Sequence, residues 1–272
     1  MSVDFNRATG LLILEVVNSN PNGDPDREND PRQRPNGLGE ISPVSVKRKI
    51  RDLIEDHDGV FFQSLPEAYI RQADLYCILE SRGRDRAAIT KEMNDSPNFM
   101  DSTFVRKYWD ARIFGNTFLE DGGNKEYIKT GAVQFGMGLS ISPISIVRQT
   151  NTNKAGVEEG KKSGMAPLAY RVVEHGVYCM PFYVNPNYAA KSGCTAADIE
   201  LLKRAIPYML DLTRSNIRPD VRLRHRLVQA VGEPNEVQTL PAGGGRILLY
   251  DGAAVRLGLD EATGAEVVLG VT

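Results

Sequence analysis

The sequence of 272 residues predicts an α+β fold, and three observations support this class. The composition, with 41% hydrophobic and 25% charged residues, is typical of a soluble globular protein. Short apolar runs rich in β-formers, such as 11–17, alternate with a few amphipathic segments. These helical segments are too few and too irregularly placed for a barrel or a doubly wound sheet. The order therefore favours a heavily elaborated ferredoxin-like or RRM-like sandwich.

The predicted first strand, 11–17, leads into a long segment without helical or strand periodicity, 18–40. This segment holds four prolines and two Asn-Gly pairs, which are turn formers. Such a long loop inside a compact domain is uncommon and is usually functional. A solvated excursion without a function is the alternative.

A helix is predicted next, because Ser42 can cap it and Pro43 suits its first turn. One face of this helix is apolar and carries Val46, Ile50, Leu53 and Ile54. Its N-terminal half is crowded with cations, namely Lys47, Arg48, Lys49 and Arg51. Since the helix dipole also favours anions at that end, the pattern indicates a phosphate-binding helix start. A solvated charged face explains the spacing equally well.

Further along, we expect a strand over 73–79, a helix over 103–114 that stops at Gly115, and a strand over 132–147. The last of these alternates between an apolar face and a face of glycines, serines and one glutamine. Glycine in a strand often marks a close approach to the backbone, so the bare face is a candidate floor for a sugar-phosphate chain. Cover by a neighbouring loop is the alternative.

The C-terminal half predicts a basic loop or hairpin over 148–167 and a strand over 172–184. Thr195 and Asp198 have the spacing of a capping box, and Pro207 should kink the helix that follows. A short final core strand is expected over 246–250, with a small hairpin after it.

Charge is distributed unevenly although the net charge is only −2. Residues 32–51 contain six basic residues and one acidic residue, and residues 203–226 contain seven basic and two acidic residues. A nearly neutral chain with two basic stretches can bind one polyanion and remain soluble.

Several function classes lack their sequence signatures. There is no run of about 18 apolar residues, no secretory signal pattern, no phosphate-binding loop and no metal-ligand spacing, so we expect no membrane span, metal or cofactor. The three distant cysteines fit a reducing cytoplasm. Asp24 and Asp26 are candidates for a divalent ion or a base, but they more often organise turns. His225 is a candidate for RNA cleavage, or simply a polar residue on a basic face.

Six blocks of the sequence resemble the backbone subunits of type I CRISPR surveillance complexes (Cascade), in the Csd/Csh branch of the RAMP superfamily. The first block, Asn20-Pro21-Asn22-Gly23-Asp24-Pro25-Asp26, is the most specific. The other blocks are 46–51, 110–115, 131–135 with Ser140, 175–178 and 195–198. The similarity runs over about 11–212, with type I-C as the best subtype, and 218–235 departs from the pattern.

The resemblance implies a non-enzymatic protein with an RRM-like palm. In this interpretation the palm comprises 1–56, 130–147 and 168–250, the inserted fingers 57–129, the thumb 148–167 and a C-terminal hairpin 251–272. Copies would line up head to tail along one CRISPR RNA (crRNA), beside other Cascade subunits, and present its bases to target DNA. The thumb would displace a guide base at regular intervals.

We predict contacts to the RNA from the first blocks, from later blocks and from the thumb. The predicted contacts are Asn22, Lys47, Arg48, Lys49, Arg51, Arg112, Gln134, Lys161, Lys162 and Met165. Arg32 and Arg34 are expected to touch the next copy or the target strand. The alternatives are a metal-independent endoribonuclease of the same superfamily, which needs a group such as His225 or His57, and a ferredoxin-like metabolic enzyme with a small anionic substrate.

Overall fold

The computed structural model describes residues 5–115, 128–154 and 165–230, together with strands at 237–239, 246–250, 253–259 and 266–271. Lys161 and Lys162 lie outside the described residues. The strands are β1 (Ala8–Ser19), β2 (Gly23–Asp24), β3 (Asp30–Pro31), β4 (Leu38–Ile41), β5 (Val133–Phe135), β6 (Gly138–Pro143), β7 (Ile146–Lys154), β8 (Met165–Val184), β9 (Val221–Ala230), β10 (Val237–Thr239), β11 (Arg246–Tyr250), β12 (Ala253–Leu259) and β13 (Glu266–Val271). The α-helices are α1 (Pro43–Glu55), α2 (Val60–Gln63), α3 (Glu67–Arg71), α4 (Arg86–Met93), α5 (Thr103–Lys107), α6 (Trp109–Phe114), α7 (Ala189–Ser192) and α8 (Ala196–Ala205). Short 3-10 helices cover Pro25–Arg27, Ala73–Tyr76, Phe99–Asp101 and Pro186–Tyr188.

The main sheet is antiparallel and has the strand order β4-β6-β8-β1-β9. With α1 after β1 and α8 after β8, the elements β1, α1, β6, β8, α8 and β9 form the βαββαβ succession of a ferredoxin-like fold. The predicted α+β class is confirmed.

The long strand β8 organises this sheet because it pairs along one side with β1 and along the other with three shorter strands. β7 pairs with its first half, from Met165 to Val173, and β6 and β5 pair with its second half. The β7–β8 pair is therefore a long hairpin that extends from the main sheet. Its strands include the described parts of the predicted thumb, 148–167, and begin before and end after that interval.

The main core lies between the sheet and its helices. The predicted apolar face of α1 is buried against the inward side chains of β1, Leu12, Leu14 and Val16. As predicted, Ser42 caps α1, and its hydroxyl accepts from the Ser45 amide at 3.3 Å. A second, smaller core holds the insertion after α1 together and comprises Leu79, Ile89, Met93, Phe104, Val105, Tyr108, Ala111 and Ile128.

The expected single strand over 132–147 is wrong, because a β-bulge divides it into β5 and β6. Val133 pairs with Val184, and Leu139 pairs with Cys179, so the β5–β6 segment contains one residue more than the facing part of β8. An extra residue reverses the side-chain faces. Ser140 is therefore buried while Ile141 is 63% exposed, and the bare face does not continue beyond the bulge.

Two further expectations, one strand and one helix, also change. The segment 73–79 begins as a 3-10 helix instead of a strand, and the helix over 103–114 is split at Tyr108. The split occurs because Cys77 inserts its backbone there: its amide donates to Lys107, and its carbonyl accepts from Trp109. Gly115 ends α6 with a φ of 77°, as predicted.

The edge strand beside β1 is β9, which was interpreted only as a basic stretch. The final core strand expected over 246–250 does not join this sheet and pairs with β10 and β12 in a separate four-stranded antiparallel sheet. The sequence did contain a signal for β9, because apolar and basic residues alternate there, as Val221, Arg222, Leu223 and Arg224.

Gly131 sits where α6 and the chain leading to β5 come into direct contact. A Cβ atom there would lie 2.5 Å from the carbonyl carbon and oxygen of Ile113 and 2.4 Å from the Gly115 nitrogen. We expect Gly131→Ala to lower the free energy of unfolding by roughly 1–3 kcal/mol, because backbone must move. Gly83→Ala is the matched control, since nothing lies within 4 Å of its Cβ position. Equal urea midpoints for the two variants would contradict this account.

Candidate nucleic-acid interface

The long loop after β1 is an ordered structure built around the start of α1. Asn22 accepts a hydrogen bond from the Ser42 amide at 2.7 Å, which fixes the loop to the helix cap. Asn18, Glu28 and Asn29 have positive φ, and β2 pairs with β3. Asn22 thus positions the loop, and its predicted contact with RNA stays a prediction.

Lys49, near the middle of α1, is buried and only 9% exposed. It makes no hydrogen bond or ion pair with any described residue. Burial, followed by repulsion from Arg218, lowers the pKa of Lys49 to about 8, although Asp52 opposes this. A lysine that is largely buried without a hydrogen-bonded counterion is costly, and this makes Lys49 a candidate contact for an external anion.

Two further unsatisfied groups belong to the same region, and we call Asn20, Lys49 and Arg218 the Lys49 cluster. Asn20 is 3% exposed; its amide nitrogen Nδ2 donates to Asn29, while its Oδ1 has no donor. The backbone of Asn20 donates to Ile217, which brings Arg218 alongside, and the buried Nε of Arg218 has no acceptor. Asn20 and Arg218 were not among the predicted residues, because their unpaired atoms become evident only when the chain is folded.

Lys47 is the second cation of α1 that has no carboxylate partner within the part of the chain that the structure describes. Its Nζ lies 5.1 Å from the centre of the Phe114 ring, and the guanidinium carbon of Arg51 lies 5.2 Å from the same centre. Burial, followed by repulsion from Arg51, lowers the pKa of Lys47 to about 8.

The other predicted cations of α1 are already neutralised. Arg48 pairs with Asp52 at 2.5 Å and donates to the Glu80 carbonyl. Arg51 donates to the buried carboxylate of Asp110 at 2.7 Å. Two cations of α1, Arg48 and Arg51, are therefore paired with carboxylates. The other two, Lys47 and Lys49, are paired with none among the described residues.

Arg112 and Gln134 lie outside α1, on α6 and β5. Arg112 is 5% exposed and forms a two-pronged ion pair with Asp198, at 3.0 and 2.7 Å. Gln134 is half-buried and donates to the carbonyl of Gly131 at 3.3 Å. Their predicted contacts with RNA stay predictions, and the structure gives both side chains partners inside the protein.

Arg32 and Arg34 also have partners within the long loop. Arg34 pairs with Glu40 at 2.5 Å, and Arg32 lies 3.7 Å from Asp24. Met165 begins β8 opposite Lys154, and its side chain is outside the described part. The roles proposed for Arg32 and Arg34 toward a second copy or a target strand are untested by these contacts.

The described residues offer little for acid–base or metal chemistry. Among them no group of three or more His, Cys, Asp or Glu residues is placed to hold a metal ion, and no helix is long and apolar enough to cross a membrane. The His57 ring packs on Phe62, and His175 contacts Glu15 at 3.2 Å. Burial raises the pKa of all three cysteine thiols, which makes them poor nucleophiles.

The pattern that defines the family of CRISPR-associated protein Cas7 matches residues 6–239 of this chain. The chain belongs to the Cas7 family. The match includes the long loop, all of α1 and the Lys49 cluster, and it extends through β9, where the sequence blocks gave no resemblance. The type I-C subtype is not decided by this match.

Among curated relatives of this Cas7-family chain, a Haloferax volcanii protein described as CRISPR-associated protein Cas7 is 25% identical over 226 residues. The aligned part covers 73% of this chain and 62% of the relative, so the chain spans less than two thirds of that protein's length. Two solved structures are also similar. One is a CRISPR RNA-guided surveillance complex in a pre-nicking state, with 16% identity, a TM-score of 0.46 and coverage of 75% of this chain and 71% of the other. The second is the type III-B Cmr-beta complex bound to cognate target RNA, with 14% identity, a TM-score of 0.45 and coverage of 83% and 61%.

Proposed function

We propose that this chain is a non-enzymatic backbone subunit of a type I CRISPR surveillance complex, of subtype I-C, that binds the sugar-phosphate chain of a crRNA. The observation that carries the proposal is the Lys49 cluster, a largely buried lysine that makes no ion pair with a described residue, beside an unsatisfied arginine nitrogen and an unsatisfied amide oxygen. Membership in the Cas7 family supports the same conclusion.

The cluster suits RNA in two respects. Lys49 and Arg218 supply donors for a phosphate, and the Oδ1 of Asn20 supplies an acceptor for a hydroxyl donor. A ribose 2′-hydroxyl next to a phosphate offers both groups, whereas deoxyribose lacks the hydroxyl. Neither group reports base identity, so guides of any sequence bind equally and their bases remain available to pair with target DNA.

Several copies along one crRNA follow from the same reasoning. Head-to-tail contacts are heterologous and build an open array until the RNA or another Cascade subunit ends it. Each further contact on one strand is strengthened by effective concentration, so each subunit needs only a modest affinity.

The test is binding of the purified protein to single-stranded RNAs of unrelated sequence and to their deoxyribose equivalents. We expect equal affinity for the RNAs, weaker binding of the DNAs, and a log–log salt slope of about −0.7 for each phosphate contacted. Larger species that carry RNA should appear when the protein is expressed alone. A discrete monomer or dimer that never binds RNA would favour a small-molecule enzyme instead.

Absence of cleavage is the second part of the proposal. We expect repeat RNA to stay intact during incubation with the protein in chelator, whether or not His225 is replaced by alanine. Cleavage by the wild type that is lost in His225→Ala would replace the scaffold with a metal-independent ribonuclease. The matched control is His175→Ala, since His175 contacts Glu15 on an exposed surface.

RNA binding should weaken as the pH rises above 8. Lys47 and Lys49 have pKa values near 8, so both lose their charge in the free protein between pH 7 and 9. Above its pKa, each lysine that contacts phosphate must take up a proton on binding, which costs up to about tenfold in affinity per pH unit. The arginine in Lys49→Arg keeps its charge throughout this pH range. The variant should therefore show a weaker dependence of RNA affinity on pH, measured by fluorescence anisotropy. A profile identical to the wild type would remove Lys49 from the interface.

A further inference from the structure

The second basic stretch, 203–226, is only partly explained by the Lys49 cluster. Four of its seven cations pair with carboxylates, in the pairs Lys203–Glu200, Arg214–Asp211, Arg222–Asp220 and Arg224–Glu15. Arg218 belongs to the Lys49 cluster. The two that remain, Arg204 and Arg226, have no carboxylate partner among the described residues, and both line one recess.

This recess has a volume of about 380 Å³ and lies between α2 and α8. Two aromatic rings form part of its wall, with the ring centres of Phe61 and Tyr208 5.8 Å apart and tilted by 48°, and the paired Glu200 and Lys203 also line it. Phe61 is buried, whereas Tyr208 is 52% exposed and offers a free ring face. The Arg226 guanidinium donates to the Lys203 carbonyl, which holds it at the rim with other donors unused.

Tyr208 is placed here by the end of α8. That helix was expected to kink at Pro207, and it ends at Ala205, because Pro207 has no amide hydrogen to donate to the Lys203 carbonyl. The amide of Tyr208 donates to the Ala205 carbonyl in the turn that follows, and its ring reaches Phe61. Arg204, in the last turn of α8, shares this end of the helix with Tyr208.

The recess is distinct from the Lys49 cluster. Phe61 also forms part of an adjoining recess with Asp52 and Asp56, at the C-terminal end of α1. Lys49 lies near the middle of α1, about 9 Å along the axis from Glu55, and lines neither recess. A ligand in the recess therefore contacts a second surface of the protein.

We propose that this recess binds one nucleotide of a single-stranded nucleic acid, with its base against Tyr208 and its phosphate between Arg204 and Arg226. An exposed ring beside unpaired guanidinium groups is the combination that binds single strands without reading their sequence. A carboxylate-rich peptide would use the two arginines but leave the Tyr208 ring face without a partner, so the geometry favours the nucleotide. The proposal does not rest on the Lys49 cluster and extends the nucleic-acid surface beyond it.

The test uses a short fluorescein-labelled oligodeoxythymidine, because this probe lacks the 2′-hydroxyl that Asn20 would accept. Tyr208→Leu preserves an apolar cover over Phe61 and should lower affinity by roughly 5- to 100-fold, while Tyr208→Phe keeps the ring and binds normally. Arg204→Ala with Arg226→Ala should also weaken binding and reduce the salt slope. Arg222→Ala is the matched control, since it removes a cation from the same strand that is already paired with Asp220. Thermal melting of each variant excludes unfolding.

A photocrosslink provides the independent readout. Oligodeoxythymidine that carries 5-bromodeoxyuridine should crosslink to Tyr208 in the wild type and also in Lys49→Met, which separates this site from the proposed crRNA contact. Crosslinks exclusively elsewhere, or unchanged affinity in Tyr208→Leu, would overturn the proposal. Binding of oligoglutamate that depends on Arg204, with no binding of the oligonucleotide, would assign the recess to an acidic protein partner.

Discussion

Lys49→Met is expected to stabilise the RNA-free protein and to weaken its binding of RNA. Folding buries most of Lys49 without an ion-pair partner among the described residues, and its pKa falls from 10.5 to about 8, mainly because of this burial. Methionine fills a similar volume without charge, so the free energy of unfolding at pH 7 should rise by roughly 1–3 kcal/mol. RNA affinity should fall roughly 10- to 100-fold, because one charge-assisted contact is lost. Urea unfolding and fluorescence anisotropy measure the two effects.

The opposite signs make this variant informative. If Lys49 only supported the fold, its replacement would destabilise the protein. RNA affinity would then fall only as far as the folded fraction of the protein falls. Arg48→Met is the matched control on the neighbouring position, since Arg48 is paired with Asp52 and should leave the salt slope unchanged. If Lys49→Met binds RNA with wild-type affinity and slope, the Lys49 cluster is not the RNA contact.

The pH dependence of stability supplies a second check on the same residue. Because the pKa of Lys49 is lower in the folded than in the unfolded chain, the unfolded chain binds more protons between about pH 8 and 10.5. Stability contributed through this group therefore rises with pH across that window. The rise should be smaller in Lys49→Met than in Arg48→Met.

The sequence predicted elements well where local chemistry decides them. Ser42 with Pro43 begins α1, Thr195 and Asp198 form the predicted capping box of α8, and Gly115 ends α6. Each depends on a few adjacent residues. The bulge between β5 and β6 was not predictable, because it results from the register against β8, a strand about forty residues further on.

The candidate interface was predictable in position but not in detail. Clustered cations located the start of α1, and the i,i+4 spacing of Arg48 and Asp52 was a signal for their pairing. Spacing alone could not separate Lys49 from Arg51, since the carboxylate that neutralises Arg51, Asp110, lies elsewhere in the fold. Asn20 carried no signal beyond its place in the first block, because an unsatisfied oxygen is a property of the folded surroundings. Net charge in a segment thus indicates where to look, and unpaired charge in the structure indicates which residue to test.

Arg112→Met should destabilise the protein by about 3–5 kcal/mol, the largest loss we expect from a single substitution. The guanidinium forms two hydrogen bonds with the Asp198 carboxylate and also donates to the carbonyls of Val105, Arg106 and Leu75. Its removal leaves a carboxylate that is 1% exposed without its counterion. Urea unfolding of Arg112→Met beside Arg106→Met, which changes an exposed arginine nearby, measures the difference.

A double-substitution cycle shows whether the loss comes from the ion pair. Asp198→Asn alone should also destabilise, and the two changes together should cost less than their sum, because neither then leaves a buried charge unpaired. Asp198 also accepts from the Thr195 amide in the capping box, a bond that asparagine can keep through its oxygen. If the losses of stability in the two single variants add up to the loss in the double variant, the destabilisation comes from lost packing and not from an unpaired charge. The same variants decide the predicted RNA contact of Arg112: a phosphate contact lowers the salt slope of the folded protein by about 0.7, whereas an ion pair that holds α6 to α8 leaves it unchanged.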